Sequence, residues 1–141
     1  MYLYREFQYP EDYDNVIHLW ENSGSGVHIS TSDSPKEIVK KLARDPDLFL
    51  VCVSEDKIIG TMLGGFDGRR GIIYHLAVDS AYRGQGIAKA LMTEVENRLK
   101  SKGCIRCYLL VTTENTAAMQ FYEHSGWEQM DFVKIYGKNL K

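Results

Sequence analysis

The sequence predicts a mixed α/β fold in which a mostly antiparallel sheet carries helices on its faces. Apolar residues recur with period two in some segments and with period 3.6 in others, and the two kinds of segment alternate along the chain. Three strand-like segments follow one another across short turns, which favours antiparallel pairing. A long helix precedes the next strand, which favours a parallel pair there. No repeat or linker divides the 141 residues, so residues 1–141 are predicted to form one domain.

The first third of the chain is predicted to contribute one strand and two helices. Residues 2–7 alternate as a strand does, and residues 10–22 have helical periodicity. A polar, glycine-rich stretch over residues 23–32 is typical of a loop. Ser34 and Glu37 have the spacing of a capping box, with proline at the first helical position, so a second helix is predicted to run to about residue 44. The apolar side of the first helix comprises Val16, Ile17, Leu19 and Trp20.

The middle of the chain is predicted to form three consecutive strands and a long helix. Residues 48–53 and 57–66 are strand-like runs separated by an acidic pair that suits a hairpin turn. An Asp-Gly turn then leads into a third strand over residues 71–78. The long helix covers residues 86–102 and ends at Gly103. Its apolar stripe comprises Ile87, Ala90, Leu91, Met92, Val95 and Leu99.

The last third is predicted to add a strand, a helix and a closing element. Residues 104–111 are expected to form the strand, and residues 116–125 a helix with Asn115 before it and Gly126 after it. Residues 127–140 are expected to supply one or two closing strands.

Composition excludes several classes of function. The formal net charge is −2, so no general attraction to nucleic acid or to an anionic membrane is expected. The longest uninterrupted apolar run, residues 48–53, is far too short to span a bilayer, and the N-terminus resembles neither a signal nor a transit peptide. Three cysteines, an odd number without an export signal, point to a reducing cytoplasm. Cys104 and Cys107 have redox or zinc spacing, but without a second pair they are expected to be plain thiols on a strand.

The turn between the third strand and the long helix has the features of a phosphate cradle. Over residues 82–89, Gly84 and Gly86 let the backbone pass close to a ligand. The helix that follows leaves its first amide N–H groups unpaired at the positive end of its dipole. The alternative interpretation is a tight connection without a ligand.

A second element lies further along the chain, over residues 115–127. Asn115 and Tyr122 are seven residues apart, two helical turns, so they lie on nearly one line of a helix face. Taken alone, this pattern is also that of an Asn N-cap followed by an aromatic core stripe. Its combination with the phosphate turn favours a functional pair.

At these two elements the sequence resembles the GNAT superfamily of acyl-CoA-dependent N-acyltransferases. Residues 83–88 resemble its Arg/Gln-x-x-Gly-x-Gly/Ala signature, and residues 76–79 resemble the strand that enters it. The segment from Asn115 through Tyr122 to Trp127 is similar to the C-terminal Asn…Tyr-Glu…Gly-Phe segment of the family. The order of elements fits as well, so the resemblance covers essentially the whole chain.

The resemblance implies a fold with a splayed central strand pair, an acetyl-CoA co-substrate, no metal, and a role for each matched position. The diphosphate of coenzyme A would accept hydrogen bonds from backbone amides over residues 83–89. The pantetheine arm would run along residues 76–78, held by Asn115, and a backbone N–H there would polarise the thioester carbonyl. Tyr122 would protonate the departing thiolate, as the free phenol and thiol have pKa values within about two units. The cofactor-binding residues so implied are Leu76, Ala77, Val78, Arg83, Gly84, Gln85, Gly86, Ile87, Ala88, Lys89, Asn115 and Tyr122.

The general base is where the chain departs from the family. Leu110 stands where some relatives carry Glu, and Ile72 and Tyr74 stand where others carry Glu or His. His75 is next to these positions, but strand alternation predicts that it lies on the face opposite Tyr74, Leu76 and Val78. A bulge would reverse that parity. Proton transfer through ordered water, with Tyr74 lining the cleft, and a catalytic His75 both stay open.

The acceptor is expected to be a primary amine on a small molecule or a peptide. The resemblance implies that residues 21–33 and 130–131 select it. Glu21, His28 and Asp33 make the first of these segments mildly acidic, which is compatible with a cationic amine, although a solvated surface loop is the alternative.

The transferase is expected to be a monomer or a homodimer. Two other functional classes are alternatives to it. The first is a non-catalytic acyl-CoA-binding or regulatory module on the same scaffold. The second is a generic nucleotide-phosphate binder, but residues 82–89 lack the Gly-Lys-Ser/Thr that a P-loop requires.

Overall fold

A computed structural model describes residues 1–24 and 27–141. The elements in chain order are β1 (Leu3–Glu6), α1 (Tyr13–Glu21), α2 (Pro35–Arg44), β2 (Phe49–Ser54), β3 (Lys57–Phe66), β4 (Gly71–Val78), α3 (Ile87–Ser101), β5 (Cys107–Leu109) and α4 (Thr116–His124). Short 3-10 turns cover Thr31–Asp33, Pro46–Leu48 and Ser80–Tyr82. Two residues of the predicted loop, Ser25 and Gly26, lie outside the described residues.

The five strands form one mixed sheet in the order β1-β2-β3-β4-β5, which confirms the predicted fold class. Neighbours from β1 to β4 are antiparallel, and β4 and β5 are parallel across the connection that contains α3. The acidic pair Glu55-Asp56 makes the hairpin turn with both residues at positive φ (49° and 64°), as a two-residue turn of this kind requires.

A hydrophobic core covers each face of the sheet. On the first face, α1 and α2 pack against β2 and β3 through side chains such as Trp20, Ile38 and Phe49. On the second face, α3 packs through Leu91 and Val95, among other residues. The predicted apolar stripe of α3 is correct apart from Ala90, which is half-buried rather than buried.

The start of the first helix and the capping box of the second differ from the sequence prediction, whereas the second helix begins at Pro35 as predicted. The first helix begins at Tyr13 instead of residue 10, because the buried carboxylate of Asp12 holds the preceding chain. Asp12 forms an ion pair with Arg5 at 2.6 Å and accepts the Gln8 backbone N–H at 2.8 Å. At α2, the Ser34 hydroxyl accepts the Glu37 N–H as predicted, but the complete capping box lies just upstream and joins Ser30 and Asp33.

A bulge in β4 overturns the predicted parity of that strand. Leu63 pairs with Tyr74 and Thr61 with Ala77, so two residues of β4 face the single residue Met62. Residues directly opposite in antiparallel strands share a face, and Leu63 belongs to the α1/α2 core. Tyr74 therefore lies on the α1/α2 side. His75 follows it there and contacts Trp20 of α1, so the predicted separation of these two side chains is wrong.

The bulge also changes the face on which the last residues of β4 lie. Leu76 and Val78 pack against the α3 core, on the face opposite Tyr74, whereas Ala77 is buried on the α1/α2 side. Leu76 and Val78 were predicted to share a face with Tyr74 at alternate positions. Their displacement from it is the direct result of the extra residue in the bulge.

The predicted strand over residues 104–111 shrinks to three residues. Residues 104–106 complete the exit from α3 instead, with the Cys104 N–H bonded to the carbonyl of Leu99, so Cys104 lies outside the strand. The pairing of β5 with β4 covers only Gly71–Ile73 of β4, and within the described residues β4 has no strand partner on this side from Tyr74 onward. The two strands thus separate as the family resemblance implied.

The predicted closing strands do not form. Among the described residues, none after Leu109 belongs to a strand, and the apolar side chains of residues 132–140 are exposed. Phe132 and Tyr136 are 84% and 90% exposed. The alternating apolar pattern is real, but no element of the described chain covers it, so pattern alone does not produce a strand here.

The three cysteines are free thiols. Within the described residues, no helix has the length and apolar character to cross a membrane.

Candidate active site

The turn between β4 and α3 presents a run of backbone amides to solvent. Gly84 and Gly86 have φ of 78° and 82°, the left-handed region that favours glycine, and Gly86 is the N-cap of α3. No backbone or side-chain acceptor among the described residues binds the amide N–H groups of residues 83–89. Apart from the glycine itself and its neighbours along the chain, no atom of the described residues lies within 4 Å of the position that a β-carbon would take at either glycine. The predicted phosphate cradle therefore has free donors and open space, which fits a diphosphate.

The neighbouring side chains hold this turn in place. The Asp79 carboxylate accepts the Ala81 N–H at 2.9 Å and pairs with Lys57 at 3.2 Å. The backbone hydrogen bond from Ala81, followed by the contact with Lys57, keeps the pKa of Asp79 below its usual range. Tyr2 donates a hydrogen bond to the side-chain oxygen of Gln85. Arg83 and Lys89 are exposed and add positive charge where an anion would lie.

The unpaired side of β4 leads away from this turn. Because β5 diverges beyond Ile73, the backbone groups of residues 74–78 that face β5 have no strand partner in the part of the chain that the structure describes. Leu76 and Val78 are half-buried and Ala77 is buried, so the strand offers a mostly apolar wall with backbone donors and acceptors. An extended arm with amide groups would complete the ladder here.

Asn115 and Tyr122 lie at the N-cap and in the last turns of α4. Asn115 caps the helix, its side-chain oxygen accepting the Ala118 N–H at 3.2 Å, so the capping interpretation is correct and the amide N–H groups of the side chain stay available. Tyr122 packs beside Trp127, with ring centroids 6.3 Å apart, and against the α3 core. Burial raises the pKa of Tyr122 to about 12.

A cavity of about 1090 Å³ lies beside the free edge of β5. Its walls include Leu109, Leu110, Met119 and Tyr122, and it does not reach the glycine turn. Tyr122 is the one predicted coenzyme-binding residue that lines it, and Met130 of the predicted acceptor segment lines it as well. The buried Thr112 hydroxyl, just past β5, has no hydrogen-bond partner among the described residues.

Of the candidate base positions, Tyr74 and His75 lie on the α1/α2 side of the sheet, whereas Leu110 lines the cavity beside β5. Leu110 follows β5 and is 58% exposed. Tyr74 is 41% exposed, and burial of the rest of its ring raises its pKa. His75 is bonded through Nε2 to Asp33 Oδ1 at 2.9 Å. From the sequence, Asp33 and His75 are named separately and their contact is not predicted, because 42 positions separate them and no local spacing indicates it.

The remaining predicted acceptor residues are not brought together. Glu21 is the last residue of α1, and His28 is exposed in the loop that follows. Asp131 is exposed, and Met130 contacts the Arg106 guanidinium at 3.8 Å. Of the polar residues in the loop over residues 21–33, only Asp33 reaches the sheet in the described structure.

Comparisons with known proteins show the family of this chain. Residues 7–127 match the model of the acetyltransferase (GNAT) family. An acetyltransferase of Sodalis glossinidius is 39% identical over 130 residues, which cover 92% of this chain and 90% of that protein.

Two solved structures share the fold. The PaiA N-acetyltransferase of Thermoplasma acidophilum, in complex with coenzyme A, superposes with a TM-score of 0.79 at 20% identity and covers 94% of this chain and 93% of its own. A chain of the NatC complex bound to Gag peptide and CoA gives a TM-score of 0.78 at 25% identity, covering 92% and 86%.

Proposed function

We propose that this chain, which belongs to the acetyltransferase (GNAT) family, moves the acetyl group of acetyl-CoA directly to a primary amine. Family membership supports acetyl transfer in general. The observation that carries the proposal for this chain is the run of free amides over residues 83–89, placed at the end of a strand whose outer edge is unpaired.

The first step of the proposed reaction is binding of the coenzyme. The diphosphate would accept hydrogen bonds from the amides around Gly84 and Gly86, at the positive end of α3. The pantetheine arm would lie against residues 76–78, where its amide groups replace a missing strand. The free side-chain N–H groups of Asn115 would donate to the arm from the facing helix.

The second step is attack on the thioester. The amine nitrogen forms a bond to the carbonyl carbon while negative charge develops on the carbonyl oxygen. A backbone N–H of β4 near Ala77 or Val78 would stabilise that charge as an oxyanion donor. The carbon–sulfur bond then breaks, the sulfur leaves as a thiolate that takes up a proton, and the nitrogen loses one.

Tyr122 is the proposed donor to the sulfur. With its pKa raised to about 12 and a reference thiol at about 8.5, complete proton transfer is uphill by about 3.5 pKa units, or about 5 kcal/mol. This difference exceeds the two units expected for the free groups. The phenol therefore acts mainly as a hydrogen-bond donor that strengthens as charge builds up on sulfur, with solvent completing the protonation of the thiolate.

Acetyl-CoA binding and amine turnover test the proposal. Acetyl-CoA at a hundredfold excess over its Kd should stabilise the fold by about 2.7 kcal/mol, read as a rise in Tm, whereas ATP at the same concentration should not. A panel of primary amines, comprising a polyamine, free amino acids and a peptide with a free N-terminus, is then screened by release of the coenzyme thiol. An unchanged Tm with acetyl-CoA would refute the proposal.

The absence of a carboxylate at Leu110 favours one second candidate, a binding or regulatory module without turnover. It predicts the same rise in Tm with acetyl-CoA but no thiol release with any amine of the panel. The two measurements together thus separate the candidates.

A further inference from the structure

We infer that Asp33 and His75 form the proton-accepting pair for the acceptor amine, with His75 as the base through Nδ1 and Asp33 as the residue that positions its ring. The inference rests on the proposed function, because it assigns the proton that the attacking nitrogen must lose. It connects the loop after α1, which carries Asp33, with the bulge of β4, which carries His75.

The bulge holds His75 in an unfavourable backbone conformation. Its φ of 45° lies in the left-handed region, which costs a residue with a β-carbon about 1–3 kcal/mol. The Thr61 hydroxyl donates to the His75 carbonyl oxygen at 3.3 Å, and the Trp20 indole N–H donates to Thr61 Oγ1 at 2.8 Å. Trp20 and Thr61 are fully buried, so the core itself maintains the strained conformation. Strain of this kind concentrates at functional sites.

Asp33 is fixed as firmly as His75. Its side chain is 4% exposed, with Oδ1 on His75 and Oδ2 accepting the Ser30 N–H at 3.1 Å. Its carbonyl oxygen accepts the Tyr13 hydroxyl at 2.7 Å. A carboxylate buried to this degree needs partners for both oxygens, and here the imidazole supplies one of them.

These contacts determine which nitrogen of His75 can act as a base. Because Nε2 binds a carboxylate oxygen, the neutral ring carries its proton on Nε2 and has a lone pair on Nδ1. Nδ1 has no hydrogen-bond partner in residues 1–24 and 27–141. The side chain is 19% exposed, so solvent or a substrate reaches it.

The position of His75 along β4 suits the reaction. Successive Cα atoms are 3.8 Å apart, so His75 lies within about 8 Å of Ala77, one of the two proposed oxyanion donors. The exposed ring of Tyr74, 6.4 Å from that of His75, lies on the same face of the sheet. The bulge therefore places His75 beside the proposed acyl position, on the α1/α2 side of the sheet. In a regular strand His75 would lie on the face opposite Tyr74.

The proton balance is complete with these groups. As the nitrogen bonds to the carbonyl carbon and the carbon–sulfur bond breaks, the nitrogen proton passes to Nδ1. The imidazolium then faces the Asp33 carboxylate, which stabilises the positive charge. The thiolate takes a proton from solvent while the Tyr122 phenol donates a hydrogen bond to it, and His75 returns its own proton to solvent.

Other ionisable groups around the pair do not supply a competing charge. From α1, the Tyr13 phenol binds the Asp33 carbonyl, and from β4 the neighbouring group is the Tyr74 phenol. From α2, Lys41 is paired with Asp45 at 3.0 Å. Among the described residues, Asp33 is the one carboxylate in contact with His75.

A purely structural pair would hold the loop to the sheet and take no part in transfer. His75→Asn distinguishes the two roles, because Asn accepts a left-handed φ better than most residues and has no basic nitrogen. We expect a fall in kcat/KM of about a hundredfold and loss of the acidic limb of its pH profile. The rise in Tm with acetyl-CoA should persist. The control is His18→Gln, on the exposed side of α1, with wild-type kinetics.

Asp33→Asn provides the second variant. Its side-chain oxygen still accepts from Nε2, but the negative charge is gone, so kcat should fall about tenfold with KM nearly unchanged. A His75→Asn enzyme with the wild-type kcat/KM and pH profile would overturn the inference. Should that variant fail to fold, an Asp33→Asn kcat within twofold of wild type would overturn it. A wild-type protein that binds acetyl-CoA but acetylates no amine would instead refute the proposed function, and the base with it.

Discussion

Residues 1–103 and residues 104–141 differ sharply in how they are packed. Among the described residues, every buried apolar side chain lies at or before Leu99, and α4 has none. Large apolar side chains in the second region lie in solvent instead, Ile105 and Phe132 among them. The proposed cleft therefore has one wall made from the core, β4 with the glycine turn, and one made from a lightly packed segment, α4 with Tyr122.

The contrast predicts that coenzyme binding and the position of Tyr122 depend on different parts of the molecule. The phosphate turn is continuous with α3, whose apolar stripe is buried against the sheet. Tyr122 and Asn115 follow a strand of only three residues. Ligand affinity should thus depend on the packed wall, whereas the position of the leaving-group donor should depend on the weakly attached one.

The largest expected effect lies in the packed wall, at Gly86. Gly86→Asp places a carboxylate against the bound diphosphate. A like charge at about 4 Å, with an effective dielectric constant near 20, costs about 4 kcal/mol, or about a thousandfold in affinity. The rise in Tm with acetyl-CoA should disappear.

Gly68→Asp is the matched control for that change. Gly68 also has a positive φ (101°) and open space around it, but it lies in the turn between β3 and β4. The backbone strain of the two variants is similar, so acetyl-CoA should still stabilise the control. Equal loss of binding in both variants would place the phosphate site elsewhere.

The next effect concerns stability and compares the two regions directly. Leu91→Ala removes a fully buried side chain from α3 and should lower the free energy of unfolding by about 2–5 kcal/mol. Phe132→Ala removes a larger but exposed side chain from the second region and should change the free energy of unfolding by less than about 0.5 kcal/mol. Denaturant unfolding of both variants measures the difference. Comparable destabilisation would mean that Phe132 is buried in solution.

A somewhat smaller effect is expected at the weakly packed wall. Tyr122→Phe keeps the ring and removes the hydroxyl, so kcat should fall by about a hundredfold, or about 2.7 kcal/mol, with little change in acetyl-CoA affinity. Because its pKa is near 12, Tyr122 stays protonated and should add no alkaline limb to the pH profile below about pH 11. Tyr136→Phe, at an exposed position of the same region, should match wild type. An unchanged kcat in Tyr122→Phe would remove Tyr122 from the mechanism.

The smallest expected effect is the change that acetyl-CoA causes in the amide hydrogen exchange of the second region. Without ligand, amides of residues 127–141 should exchange with solvent far faster than those of α3, because no strand protects them. Bound acetyl-CoA should slow exchange around Tyr122 modestly and leave the core of α3 unchanged. Protection of residues 132–140 in the free protein would show that the closing strands form in solution.

The same division explains how far the sequence predicts the structure. The bounds of β3 and β4 and the buried stripe of α3 follow from apolar periodicity, since these elements are surrounded by core. The glycine turn follows from residue type, since its left-handed φ values favour glycine. Periodicity over residues 127–140 predicts strands equally well, but a strand also needs a partner, and apolar pattern does not state whether one is available.

The contact between Asp33 and His75 marks a second limit. It depends on a bulge that shifts one strand by one residue and on a loop that returns to the sheet across 42 positions. Neither residue has a neighbour in the sequence that signals the other. Alternation predicted the wrong face for His75 because it assumes a regular strand, and the bulge is a tertiary feature maintained by Trp20 and Thr61.

The order of pairing in the sheet has a consequence for how the chain folds. Strands β2, β3 and β4 are joined by turns of two and four residues, so their pairing closes only small loops and costs little chain entropy. The parallel pair of β4 with β5 must wait for residues 79–106 to cross over, and it gains only three residues of ladder. We therefore expect the Phe49–Val78 meander to be structured in the folding transition state, with φ-values near 0.5–0.8, and β5 to join after it with values near zero.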